Sequence, residues 1–194
     1  MKKIISFLSA SMIAIACSLS IQSCEEKAKS HDSEKVAEDL NEKKFDTRES
    51  EKNAELVEHS VACSYAVIGL SRLAEEKASH KDVKEIAREL EREHHKSLEE
   101  LKAVAEKEGI SIASGPSDKA EDKIKDLSEK DAKHFDKAWL SKAIEKHKKA
   151  ISELEDALKD DKIHPLEKEW ASKTLPGLRA HLDKLTAIDD AIKS

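Results

Sequence analysis

Three histidines stand where an imidazole is unexpected. His94, His147 and His181 each fall on an apolar stripe of helical spacing, each in a different segment of the chain. Neutral imidazole is a ligand for Zn, Cu, Ni or Fe, and a Cys or a carboxylate can complete a tetrahedral set. Cys63, in a fourth segment, is the candidate for that extra donor. Protons compete for the same nitrogens, so such a site is expected to empty as pH falls through about 6.5, the ordinary imidazole value. The competing reading is that each histidine is a core residue hydrogen-bonded to a neighbour. The remaining histidines (His31, His59, His80, His95, His134 and His164) lie mostly on polar faces or at segment ends, although His59 sits one turn from Cys63.

Other chemistries find little support. A carboxylate-bridged di-iron centre needs acidic residues on all four helices and two Glu-x-x-His pairs. Only Glu91-x-x-His94 fits, because Ile144 and Leu178 occupy the matching places before His147 and His181. There is no Gly-rich phosphate loop, no Ser/His/Asp set and no zinc-protease motif.

The elements that must position the three imidazoles are helices. The first run spans Arg48 to Ala78 with adjacent rows Leu56, Cys63, Val67, Leu70, Ala74 and Val57, Val61, Tyr65, Ile68. Ser79 with Asp82 reads as a capping-box start for the second run. Its stripe is Val83, Ile86, Ala87, Leu90, His94, Leu98, Leu101 and Ala105, and Gly109 is its expected C-terminal cap. Residues 110–127 read as a long connection holding one helical turn. Ser128 and Asp131 then signal a third run carrying Phe135, Trp139, Ala143, His147, Ala150, Ile151, Leu154 and Leu158. Pro165 suits the first turn of a fourth run with Ala171, Leu175, Leu178, His181, Leu182, Leu185 and Ile188. Pro176 lies inside that run and is expected to kink it. Short breaks between long amphipathic runs imply an antiparallel four-helix bundle over residues 47–194; an extended hairpin that dimerises is the alternative. Counted from the breaks, the three histidines lie about 15 to 18 residues along their helices, so at ~1.5 Å per residue they share one level to within a turn.

Composition agrees. Of 194 residues, 39% are charged and only 3% aromatic, with four Gly and three Pro, which suits long solvated helices better than strands. The net charge is −6 with Lys and Glu interspersed. No basic block exists to displace counterions, so nucleic acid is not an expected partner.

The N-terminus has its own logic. Lys2 and Lys3 precede an uncharged stretch from Ile4 to Ile21, the pattern of a secretion signal over residues 1–23. Ile21-Gln22-Ser23-Cys24 resembles a bacterial lipobox, which makes Cys24 the expected lipidated N-terminus and the membrane the expected partner; Cys17 is the rival cleavage site. Glu25 and Glu26 follow directly, a pattern resembling the signal that sends some lipoproteins to the outer face of the outer membrane. Residues 24–46 are highly charged with weak periodicity at Val36, Leu40 and Phe45, and read as a tether with some helical tendency. Once Cys17 leaves and Cys24 is acylated, Cys63 is the one remaining thiol, so no internal disulfide is expected.

Several stretches together resemble the bacterial family called domain of unknown function four-one-four-two: Leu73 to Ser79, Val83-Lys84 with Ala87, Glu93-His94, Phe135 to Trp139, His147, Thr174 to Leu178, and His181-Leu182. They extend over nearly the whole mature domain. The resemblance implies a ferritin-like four-helix fold in an outer-membrane or periplasmic protein. It also implies histidine at positions 94, 147 and 181, and a helix-one Glu where Val67 stands, leaving Cys63 as a substitute donor. The expected role is a non-enzymatic envelope lipoprotein that binds a metal ion or small ligand in its bundle. A structural or stress-related interaction module and a metal-dependent redox enzyme are the alternatives.

Overall fold

The computed structural model describes residues 32–193, and within them every regular element is a helix. The signal, Cys17 and Cys24 lie outside this range, as does His31. The elements are α1 (Ser33–Lys44), α2 (Arg48–Lys77), α3 (Lys81–Glu108), α4 (Asp118–Ser128), α5 (Ala132–Lys159) and α6 (Pro165–Lys193).

The four long helices form the expected bundle. α2 packs along α3, and α5 along α6; α2 also meets α5, and α3 meets α6. This places α3 and α5 on one diagonal of the square and α2 and α6 on the other. The stripe read for α3 is the set of residues it buries: Val83, Ile86, Ala87, Leu90, His94, Leu98, Leu101 and Ala105. Helix ends follow from local chemistry. Thr47 and Ser50 form a reciprocal capping box on α2, and Asp131 accepts from the His134 amide at the start of α5. Gly109 ends α3 in the left-handed region at φ 66°, where a Cβ is unfavourable. α6 continues as a helix through Pro176.

Three details differ from expectation. The α3 cap is His80, whose ring nitrogen accepts from the Asp82 amide at 3.3 Å. Ser79 is engaged elsewhere, because the buried Asp136 carboxylate accepts from its amide (3.1 Å) and hydroxyl (2.6 Å), and from the His80 amide (2.8 Å). Asp136 thereby pins the α2–α3 turn to α5, and one turn further on Trp139 Nε1 donates to the Leu70 carbonyl at 2.8 Å. Second, the connection after Gly109 holds α4, a helix of 11 residues rather than a single turn. α4 lies against Gly69, where a Cβ would come within 2.6 Å of the Ile124 side chain, so glycine in mid-helix makes the approach possible.

The third difference concerns the charged segment. From Ser33 it is a helix docked on the bundle, burying Ala37 and Asn41. Asn41 exchanges two 2.8 Å hydrogen bonds with the Ser111 backbone and donates to the Glu58 carboxylate. The buried stripe is offset from Val36 and Leu40 and contains a polar residue, which apolar periodicity does not register.

Candidate metal centre

The core is divided along the bundle axis. One apolar cluster holds Val57, Val61, Leu98, Leu101, Leu154 and Leu178; the other holds Val67, Leu90, Phe135, Trp139, Ala143 and Leu185. On α3 the change comes between Leu90 and Leu98, on α5 between Ala143 and Leu154, and on α6 between Leu178 and Leu185. His94, His147 and His181 occupy these three gaps, so the imidazoles form a polar layer between two apolar ones.

The three side chains converge. They are 6%, 1% and 3% exposed, and their ring centroids are 5.4, 5.9 and 5.5 Å apart. One donor nitrogen from each lies within 4.8 Å of the others. His94 Nε2 is 3.4 Å from His147 Nε2. Two nitrogens bound at 2.0–2.1 Å to a tetrahedral ion lie about 3.3 Å apart, so this edge already has the right length.

Hydrogen bonds fix the proton on two of the three rings. His147 Nδ1 is 2.8 Å from the Ala143 carbonyl, which can only accept, so Nδ1 carries the proton and Nε2 is bare. His181 Nε2 is 3.0 Å from Glu93 Oε2 and donates to it. Its other nitrogen, Nδ1, is buried without any hydrogen-bond partner. Metal-binding histidines are commonly oriented in this way, one N–H held by a carbonyl or carboxylate and the other nitrogen left for the metal. Without a metal, His94 Nε2–H donates to His147; ligation requires that proton to sit on Nδ1 instead.

Electrostatics keeps all three neutral. Burial holds His94 well below the ordinary imidazole range, and the repulsion it would meet from a protonated His147 or His181 adds to this. Burial lowers His147 to about 4 against the opposing effect of the Ala143 hydrogen bond. His181 is also lowered by burial, although Glu93 pulls the other way.

Of the four residues read as ligands, three come together. Cys63 sits on α2, the fourth corner, and lines a cavity of about 440 Å³ together with His94, His181, Glu93, Trp170 and Leu178. Its sulfur belongs to none of the donor sets found among the described residues. Burial pushes its thiol up, which favours the protonated form. Glu91 of the partial ferritin-type motif turns outward to Arg72 and His95. Glu93 and Glu89 were missed as site residues. They are one turn apart on α3 and form a second donor set with His181. Their spacing was visible, but charged residues beside an apolar stripe usually mark only its solvated border. A third set, Glu108, His164 and Glu167, lies at the other end of α3.

Comparison with known proteins adds fold and family. No curated protein matches the chain. The crystal structure of a DUF305 fragment from Deinococcus radiodurans is similar in fold, with TM-score 0.64 and 14% identity, covering 75% of this chain and 97% of that one. The model of the family described as Domain of unknown function (DUF4142) matches residues 26–188, and the chain belongs to that family.

Proposed function

We propose that this protein is a lipid-anchored envelope protein whose bundle holds one divalent transition-metal ion on His94, His147 and His181. The observation that carries the metal reading is the orphaned, buried Nδ1 of His181, on a ring whose donor atom lies within 4.8 Å of those of His94 and His147. A buried polar atom without a partner costs about 1–3 kcal/mol, and a bound ion removes that cost. The set is all nitrogen and the His94–His147 edge has tetrahedral length, which favours Zn²⁺ over the square-planar preference of Cu²⁺. The adjoining cavity gives water or a small ligand access to the ion. Cys63 is the nucleophile that lines this cavity, and burial favours its protonated thiol, which supports binding rather than catalysis as the proposed activity.

The anchor rests on the sequence around Cys24. Among the described residues, no helix is long and apolar enough to cross a membrane. Cys24→Ala is expected to abolish fatty-acid labelling and release the protein from membranes.

Titrating Zn²⁺ into metal-free protein tests the site. At 100-fold excess over Kd, binding to the folded state alone adds about 3 kcal/mol. His94→Ala, His147→Ala and His181→Ala should each remove that gain, and His134→Ala should retain it. A melting temperature indifferent to Zn²⁺, Cu²⁺ and Ni²⁺ would return the three histidines to the role of core hydrogen-bonders.

A further inference from the structure

His181 belongs to two donor sets at once. One is the buried trio with His94 and His147. The other is Glu89, Glu93 and His181, also with donor atoms within 4.8 Å of one another. Side-chain exposure falls along this second set, from 42% at Glu93 through 26% at Glu89 to 4% at His181. Glu93 borders the open cavity and bonds His181 Nε2 at 3.0 Å. His181 Nδ1, buried and unpartnered, is the nitrogen left over on the same ring. One imidazole therefore carries a carboxylate on one nitrogen and a vacant lone pair on the other. Glu89 is held by Lys184 at 2.6 Å, so its carboxylate is masked by a single exposed cation.

We propose that Glu89 and Glu93, with His181, form an outer cation site through which a divalent metal enters the three-histidine centre. This rests on the reading that the three imidazoles bind metal. The outer set is rich in oxygen donors and partly hydrated, so it captures an ion without stripping all its water. The inner set is all nitrogen and buried, so it holds the ion more tightly. His181 is shared through its two tautomers: with the ring proton on Nδ1 it offers Nε2 to the outer ion beside Glu93, and when the proton returns to Nε2, where Glu93 accepts it, Nδ1 is free for the inner set. Glu93 is likewise masked by one exposed cation, Arg92 at 3.4 Å, which an incoming divalent ion displaces.

A station on the way in has a kinetic signature that a ligand or an orienting residue lacks. It lowers the barrier in both directions, so its loss slows association and dissociation alike and leaves Kd unchanged. Co²⁺ is a suitable probe, because its visible absorption reports tetrahedral nitrogen ligation, and stopped-flow mixing gives both rate constants. Glu89→Gln is the informative variant, since Glu89 does not bond His181. We expect about a tenfold fall in both rate constants with Kd preserved within about twofold. Lys184→Gln, which unmasks Glu89, should speed association. Glu93→Gln should additionally raise the dissociation rate and weaken Kd about 10–100-fold, because it also orients His181. In His147→Ala, weak Co²⁺ binding should persist at the outer set and be lost on adding Glu93→Gln.

Glu89→Gln kinetics equal to wild type, or slowed no more than in the remote variant Glu121→Gln, overturn the entry site while leaving the three-histidine centre intact. Wild-type protein that takes up no Co²⁺ overturns both.

Discussion

The pKa of His147 makes a quantitative claim about stability in the metal-free protein. Folded His147 remains neutral down to about 4. In the unfolded chain it gains a proton below about 6.5. Between these values the unfolded state binds more protons, so stability falls as the solution is acidified. Each unit of separation is worth about 1.4 kcal/mol, so at pH 5 the loss from this residue is about 2 kcal/mol, approaching about 3 below pH 4. His94 and His181 are shifted the same way and add to it. Urea denaturation of chelator-treated protein at pH 7.5 and pH 5, compared between wild type and His147→Gln, isolates the His147 contribution. The variant should lose about 2 kcal/mol less than wild type on acidification. Equal losses in the two proteins would mean that His147 titrates normally and that burial does not hold it neutral. The same shift revises the expected pH dependence of metal binding. Folded imidazoles that resist protonation compete weakly for their own lone pairs, so Zn²⁺ should stay bound well below pH 6.5, where an exposed histidine cluster releases it.

Three other outcomes test the packing around the site. Leu90→Ala removes a fully buried side chain next to the histidine layer and should cost about 2–5 kcal/mol in chemical denaturation. Asp136→Ala strips the partners from Ser79 and His80 and should cost about 1–3 kcal/mol, with faster amide exchange at the α2–α3 turn. Glu167 is wholly buried, no hydrogen bond reaches either oxygen, and burial raises its carboxyl despite His164 at 3.3 Å. Its protonated form is favoured in the fold, so it destabilises as pH rises past the usual carboxylate range; Glu167→Gln should raise the melting temperature at pH 7.5 and gain little at pH 4.

Much of this was legible in the sequence, for a physical reason. A bundle helix buries one face, so the burial of α3 is a direct transcript of its apolar spacing, His94 included. The levels of the three histidines followed from helix rise and short breaks. What escaped was carried by polar groups or by space. Asn41 docks α1 through amide hydrogen bonds, Gly69 admits α4 by lacking a side chain, and Asp136 reaches a turn 57 residues away. Glu93 matters only because α6 brings His181 to it, and no spacing within α3 announces that. Cys63 illustrates the converse: the right helix and nearly the right height, but outside the donor set.

The helices associate as two hairpins, α2 with α3 and α5 with α6, each packed more extensively within than against the other. His94 belongs to one hairpin, and His147 and His181 to the other. An ion on these three residues is therefore a staple across the thinner seam. Its main effect is on the rate at which the hairpins part, since separation must break coordination first, whereas fraying within either hairpin need not. Occupied and empty protein would differ most in lifetime under protease or mechanical pull.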